Sequence, residues 1–518
     1  MKEGFRQSQA WLHTWSGLIM GWLLFMIFIT GTLSFFREEI TYWMHPELPN
    51  MVAQPDPNKL FGQAITHLTD KGKGAKFWAI NLPNERNPAL KITWFGKTNG
   101  NLLLDPNTGD PIKIRASVGG SFYYQMHFQL WYLNPFIGRI IICLITLFMS
   151  IALITGIIIH KKIFKDFFVF RANKGQRSWL DGHNVTAVLA LPFHLMITFS
   201  GLLILVVFFM PWATNSIYGK ERAKIYQDAY NMPNFNQTAS AITQSVPSLS
   251  KLIAQFAEIY PNSKVQNIMI YNPQQTNSQI MLLAYSSQIV NQPALLFNSQ
   301  GQLIDKIQAT GPAAAIQKTL DSLHRGRFAN YLLRWLYFLS GIAGCFMIAS
   351  GLILWTVKRQ ARSAKACLNH IPFGQRLVQI LNVSSIAGIC VAIPSLLLAN
   401  RLLADTLPHR SDWEVRCFFI VWGFTLIYSY LRPHRQAWAE LFGLAALSCF
   451  AIPIINKLTT SQSLVTYLQN SNWQLAGVEL ITLVFALLFS WLSYKIVAHK
   501  LPAQCRSKVS NQALMMEN

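Results

Sequence analysis

Residues 13–31 read HTWSGLIMGWLLFMIFITG, and residues 183–201 read HNVTAVLALPFHLMITFSG. Each stretch opens on a histidine, runs through an apolar segment and closes 18 residues later on a glycine that follows Thr30 or Ser200. The next apolar segment of each half repeats the relation, with His127 lying 29 residues before Gly156 and His324 lying 27 before Gly351. Self-similarity of this kind marks a duplicated unit. Ionisable side chains are costly inside a bilayer, so histidines at corresponding places in a duplicated membrane unit point to function.

The composition agrees with a membrane protein. The 518 residues are 52% hydrophobic and 13% charged, against about 25% charged in soluble domains. Eight apolar runs approach or exceed the ~20 residues that cross a bilayer: 11–36, 136–160, 184–210, 332–357, 377–400, 415–431, 439–456 and 475–497. The net charge of +22 is a topological signal. Lys161, Lys162, Lys165, Arg171, Lys174 and Arg177 follow the second run, and Lys358, Arg359, Arg362, Lys365 and Arg376 follow the fourth. Short basic loops stay in the cytoplasm, which predicts two cytoplasmic termini and outward-facing segments 37–135 and 211–331. The basic charge therefore implies no nucleic-acid partner, only membrane lipid.

The first run is too long for a signal-peptide core and has no small-residue cleavage site, so it reads as an anchor. Of the seven cysteines, none falls in either outer segment and none forms a CxxC, which argues against a disulfide framework or a zinc ribbon. The outer segments carry their own repeat. The first has a helical stretch at 58–71, alternation at 87–95 and the turn-bearing LLLDPNTGDPI at 102–112. The second has a helix at 248–259, strands at 265–271 and 279–285, and LLFNSQGQLI at 295–304. Each is expected to be a small α+β unit inserted between an outbound and a returning helix.

The expected architecture is a polytopic α-helical membrane protein of about eight spans. Spans 1–36 and 136–160 flank outer domain 37–135; a cytoplasmic basic loop occupies 161–183. Spans 184–210 and 332–357 flank outer domain 211–331. After a loop at 358–376, the region 377–518 adds four spans with few ionisable residues inside them, and no chemistry is read there.

A b-type haem needs no covalent attachment motif, only one or two axial side chains, usually imidazole, projecting into a bundle core. His13 and His183 begin their helices at one depth, and His160 closes the second span on the same side, so any two of these three suit an inner haem. His194 lies 11 residues beyond His183, about 16 Å along a straight helix, and joins His127 and His324 as an outer group. Symmetry favours His13 with His183 and His127 with His324. The outer two precede their spans by too many residues to lie on them, so they either ride on segments that fold back or line a surface site. His45, His67, His409, His434 and His499 read as ordinary loop histidines. Arg139 and Arg334, near the outer ends of spans two and four, could pair with haem propionates or serve as interfacial anchors. The paired glycines either let helices pack closely or leave room for a flat macrocycle.

The order and duplication of LLLDPNTGDPI, a following histidine and a TG-ended span resemble the PepSY-associated transmembrane family over about residues 8–360. That family includes iron-regulated inner-membrane proteins and di-haem siderophore reductases. The resemblance implies two b haems in the four-helix core and reduction of a ferric siderophore or other ferric chelate on the periplasmic side. The four additional C-terminal spans depart from the shorter reductases. No HExxH, GxSxG, Walker or GxGxxG pattern is present, so electrons are expected from a separate cytoplasmic carrier or the quinone pool. A non-enzymatic membrane scaffold or transport component, or a haem-bearing partner of a separate reductase, are the competing expectations.

Overall fold

The structure is a computed structural model that describes residues 4–48, 56–160, 169–219, 221, 223–230, 232, 247–284, 292–365 and 371–499. Lys161, Lys162, Lys165, Cys367 and Cys505 lie outside the described residues. Seven helices are long and apolar enough to span a membrane: Phe5–Ser34, Pro135–Ile159, Tyr331–Ala361, Phe373–Leu402, Arg410–Leu431, His434–Thr459 and Trp473–Ala498. The pair Gln176–Leu189 and Leu191–Ile204 passes the same test jointly, which brings the spans to eight. The chain is a multi-pass α-helical membrane protein.

The third span differs from a straight 184–210 helix. It bends by 67° at Ala190, where Pro192 in the first turn of Leu191–Ile204 removes a backbone donor. His183 and His194 therefore sit on different helices, and rise along one axis does not set their separation. The sixth and seventh spans are longer than their apolar runs, because polar first turns such as Arg410–Glu414 continue the helix inward. The fifth contains a π-helical stretch, Val383–Gly388, that presses Gly388 against Thr425 of the sixth; such bulges cluster at close approaches.

The two outer segments are not separate domains. Their strands form one antiparallel sheet in the order β3-β2-β1-β4-β5-β6-β7, with β1 Ala75–Asn81, β2 Leu90–Gly96, β3 Gly100–Leu104, β4 Val265–Tyr271, β5 Gln279–Ala284, β6 Ala294–Asn298 and β7 Leu303–Lys306. The seam is the β1–β4 pair, which registers Phe77 with Tyr271, Trp78 with Ile270 and Ile80 with Ile268. A three-stranded half would expose β1 as an apolar edge, and pairing the halves edge to edge removes that liability. Helices Pro57–Lys71 and Leu249–Ile259 cover one face, where Leu60, Leu68, Leu252 and Phe256 pack on Trp78, Ile80, Ile92, Ile268 and Ile270. Asp56 caps the first helix by accepting from the Asn58 backbone N–H.

Between the sheet and the spans, each half inserts a short helix: Ser121–Gln129 in the first and Pro312–Arg325 in the second. The first packs on span one and the second on Leu191–Ile204. These return helices carry His127 and His324.

The C-terminal region is richer in buried charge than its sequence suggests. Glu414 is fully buried and accepts from Arg410 Nη1 at 2.7 Å, Asn400 Nδ2 at 2.7 Å and Ser117 Oγ at 2.9 Å. Glu479, equally buried, accepts from Asn456 Nδ2 at 2.7 Å and Trp43 Nε1 at 3.2 Å. Arg401 stacks on the Trp43 ring and donates to Asn456 Oδ1 at 2.7 Å. This network clamps spans five to eight to the segments just beyond span one and before span two. Glu414→Ala would leave the buried Arg410 guanidinium with backbone carbonyls and the more distant Asp405 at 3.6 Å, at a cost of about 3 kcal/mol. The expected result is a clearly lower thermal midpoint for monodisperse protein in detergent, with Glu414→Gln closer to wild type. An unchanged midpoint for the alanine variant would refute the clamp.

Candidate functional site: two facing histidine pairs

The four duplicated histidines meet as two pairs. The His13 and His183 rings lie 6.2 Å apart between centroids at 72°, and those of His127 and His324 lie 6.0 Å apart at 34°. Each pair joins one histidine from each half of the duplication. Along span one, His13 and Ile27, which contacts His127, are separated by about 21 Å of helix rise, so the pairs occupy opposite ends of the four-helix core.

The glycines explain how the rings are placed. Each imidazole rests on the glycine of a neighbouring span in its own half. A Cβ on Gly156 would lie 3.3 Å from His13 Cε1, one on Gly351 3.2 Å from His183 Cε1, and one on Gly201 3.1 Å from His324 Cε1. At Gly31 it would lie 2.6 Å from His127 Nδ1. A missing side chain also uncovers the second lone pair of the carbonyl one turn earlier. His13 Nδ1 donates to Ala152 O at 2.9 Å, His183 Nδ1 to Met347 O at 2.8 Å and His127 Nδ1 to Ile27 O at 2.9 Å. Each of these carbonyls lies four residues before its glycine. His324 Nδ1 donates to Ser200 Oγ at 2.9 Å, since that hydroxyl spends its own proton on Met196 O at 2.5 Å, and the Ile197 carbonyl, four residues before Gly201, is a further acceptor beside the ring. Thr155 and Ser350 stand near His13 and His183 in the same way, at 3.3 and 3.4 Å.

These bonds fix the tautomer. A carbonyl only accepts, so the proton sits on Nδ1 in three of the rings, and the serine imposes the same on His324. Nε2 is then a bare lone pair, and no hydrogen bond to it is formed by any of the four among the described residues. Burial, reinforced at His324 by neighbouring His127, holds the imidazoles of both return helices below the usual histidine range and keeps them neutral. Neutral imidazole with its other nitrogen tied to a carbonyl is the form that binds metal.

The pair geometry fits an iron between two imidazoles. A metal–nitrogen bond of about 2.0 Å on each side, plus about 1.1 Å from each nitrogen to its ring centre, gives a centroid separation of about 6.2 Å. Two ligands alone complete no ordinary protein metal site, and no cluster of three or more His, Cys, Asp or Glu exists among the described residues. A macrocycle that brings four nitrogens of its own needs two more ligands of this kind.

The remaining sequence candidates fall differently. His194 is fully buried in Leu191–Ile204 against the Phe28 ring and Gly344, on the helix that also meets His324 through Ser200, but it is not a member of either ring pair. Neither of its nitrogens makes a hydrogen bond; the Ser340 backbone is a polar neighbour that falls short of bonding geometry. His160 caps the second span with Nδ1 buried and unbonded, and among the described residues it pairs with no second imidazole. Arg334 is already engaged, donating to Glu39 at 2.7 Å in a buried ion pair that Arg86 shares at 2.8 Å. Arg139 donates to Gln129 Oε1 at 3.1 Å, lies over Phe128 and Phe208, and keeps Nε unbonded. It stands beside the His127 helix, so of the two arginines only this one has a donor to spare. His45, read as a loop residue, is buried and bonded to Thr41 O at 2.8 Å. Nothing along the chain marks the partner carbonyls, which helix packing alone brings to the rings. The hydroxyl–glycine pairs are the visible signal, and by themselves they point only to close packing or room for a macrocycle.

The profile of the family described as the PepSY-associated TM region matches residues 10–358, the stretch that contains both histidine pairs and the sheet. A protein of Pseudomonas aeruginosa described only as uncharacterised is 23% identical over 343 residues, which is 62% of this chain and 82% of the relative. The family match ends at residue 358, before span five. The chain belongs to the PepSY-associated transmembrane family.

Proposed function

We propose that this protein holds two b haems, one between His13 and His183 and one between His127 and His324, and passes electrons to a ferric siderophore or similar ferric chelate beside the sheet. The observation that carries this reading is the pair of facing imidazoles at each end of the core, each with Nδ1 tied down and Nε2 bare. When bound, each haem supplies a one-electron couple. The residues of the chain do the rest. The glycines admit the rings edge-on, the carbonyls orient Nε2 and raise its basicity, and the surrounding apolar spans exclude water and stabilise a low-spin, two-ligand state. Arg139 Nε is a donor for a propionate of the outer group. His194 and His160, whose buried nitrogens lack hydrogen bonds, would take a propionate or ordered water rather than iron.

Reduction of the chelate has a clear chemical purpose. Hard oxygen donors grip ferric iron, and ferrous iron far more weakly, so one electron releases the metal. The short basic loops favour cytoplasmic termini in a bacterial inner membrane, with the sheet in the periplasm. A purely structural scaffold would account for the sheet, but leaves the two close imidazole pairs and their unbonded Nε2 atoms without a purpose.

Pyridine haemochrome measurement on purified full-length protein should return two haems b per chain, with a Soret band that shifts on adding dithionite. A haem-free preparation from haem-replete cells would overturn the reading. Dithionite-reduced protein mixed with a ferric hydroxamate should reoxidise and release ferrous iron, trapped by ferrozine. Haems that stay reduced with every ferric chelate offered would make the protein an electron conduit for a separate reductase.

A further inference from the structure

Arg37, Arg86, Arg325, Arg327 and Arg334 gather where the sheet meets the spans. Arg86, from the turn between β1 and β2, donates to Glu39 at 2.8 Å and reaches Glu38 at 3.3 Å, and Arg334 holds Glu39 from span four at 2.7 Å. Arg37 opens the helix Arg37–Trp43 just past span one. Its guanidinium lies over the Tyr124 ring, 5.0 Å from the centroid, with Glu38 a distant partner at 3.9 Å. Arg325 pairs with Asp321 at 2.8 Å and donates to the Tyr124 hydroxyl at 3.4 Å. Arg327 is exposed, with Arg325, Arg37, Asp321 and Tyr124 as its ionisable neighbours, and its guanidinium makes no ion pair or hydrogen bond among the described residues. Glu38, Glu39 and Asp321 are the carboxylates in contact with this group, fewer than its arginines. Membrane topology does not explain the surplus, because topology collects basic residues in short cytoplasmic loops and this group stands at the sheet end.

The surplus adjoins the outer histidine pair. Tyr124 lies three residues before His127 on one helix, and Arg325 directly follows His324 on the other. Arg37, Arg325 and Arg327 thus form a cationic rim beside both imidazoles, with Tyr124 and Phe128, 4.8 Å apart between ring centroids, as its aromatic base. The rim differs from Arg139, whose buried Nε suits a propionate. The side chains of Arg37 and Arg325 are 39% and 31% exposed, so they are open to a solute.

We propose that this rim docks the ferric chelate and selects anionic ones, in which carboxylate or catecholate oxygens wrap the iron, over neutral trihydroxamates. The proposal rests on the reductase reading above and supplies its substrate class. Guanidinium forks match paired anionic oxygens, and such charge-assisted bonds are stronger than neutral ones. The same charges raise the encounter rate with an anion. A neutral trihydroxamate gains neither advantage and is held more weakly, although it too accepts an electron once it arrives. One electron leaves the iron between His127 and His324, which passes from ferrous to ferric, and the chelated iron passes from ferric to ferrous. The arginines form and break no covalent bond.

Gallium(III) carries the ferric charge without accepting an electron, so it reads binding alone. Full-length protein in phosphatidylcholine nanodiscs would be titrated with a trianionic gallium tricatecholate and a neutral gallium trihydroxamate. Wild type should prefer the trianion by about tenfold or more, and Arg37→Gln and Arg327→Gln should each weaken that binding by about tenfold, the scale of one hydrogen bond to a charged group. Affinity for the neutral complex should hardly change. Lys251→Gln, which removes an exposed cation from the helix covering the sheet, should match wild type. Absence of trianion binding, equal affinity for the two complexes, or arginine variants equal to wild type would overturn the proposal. So would binding confined to haem-free protein, which assigns the rim to propionates, or binding abolished by phosphatidylglycerol in the disc, which assigns it to lipid phosphate. The iron complexes separate the two layers. Selective gallium binding in protein whose reduced haems no ferric chelate reoxidises keeps the site and defeats the reductase reading. Reoxidation by anionic and neutral chelates at equal rates, in wild type and arginine variants alike, keeps the reductase and defeats the site.

Discussion

His127→Ala and His324→Ala should each remove about one of two haem equivalents, or leave that haem high-spin and open to carbon monoxide, because each pair offers iron only two protein ligands. His13→Ala and His183→Ala should do the same at the other end. The two classes are separable by function. Loss at the outer pair should slow ferrous iron release from a ferric hydroxamate by about a hundredfold or more, since ligand loss costs at least what loss of its supporting bond does. Loss at the inner pair should leave an outer haem that dithionite still reduces and a ferric chelate still reoxidises. His194→Ala and His160→Ala should retain both haems with two imidazole ligands each, read by paramagnetic resonance of the oxidised protein. If His194→Ala removes a haem while His324→Ala does not, the pairing drawn from the ring geometry is wrong.

The second large effect comes from a residue that touches no iron. Gly31→Leu should empty or convert the outer haem site although His127 remains. A Cβ at this position falls 2.6 Å from His127 Nδ1, so the ring must leave and the Nδ1–H bond to Ile27 O must break. Outer-shell bonds of this type typically govern about 10–100-fold in metal affinity, and displacement of the ring adds to that. Gly17→Leu is the matched control, because nothing lies within 4 Å of its Cβ on the same helix. The inner haem should be unaffected in both variants. Equal haem content in Gly31→Leu and Gly17→Leu would show that the glycine serves helix packing alone.

Much of the architecture was legible in the chain. Apolar run length located the spans, because a helix crossing lipid must satisfy its own backbone with about 20 apolar residues. The exception was the third, where Pro192 introduced a bend that hydropathy does not register. Period-two alternation with Asp-Pro-Asn-Thr-Gly and Asn-Ser-Gln-Gly turns located β2, β4, β5 and the turn at Gly301, whose φ of +77° needs a residue without Cβ. β1 was missed although Lys-Gly-Lys-Gly precedes AKFWAIN, and with it the seam that fuses the two outer segments, because pairing with a strand about 190 residues away leaves no local mark. The return helices Ser121–Gln129 and Pro312–Arg325 were also missed, because each is shorter than a span; the first is also weakly patterned, while the second is clearly amphipathic. They settle where His127 and His324 lie: on segments folded back against the spans.

The sequence by itself determined that the protein crosses the membrane many times, that it is a duplication and that four histidines share a place in that repeat. Repetition is written along the chain and can be read there. Only the tertiary structure decided that His13 faces His183, that His127 faces His324, and that each leans on the glycine of a different span. It alone revealed the buried Arg401, Arg410, Glu414 and Glu479 network. Those relations are between helices hundreds of residues apart in some cases. They arise from the close approach that a missing Cβ permits and from the need to pair every buried charge in a medium without water.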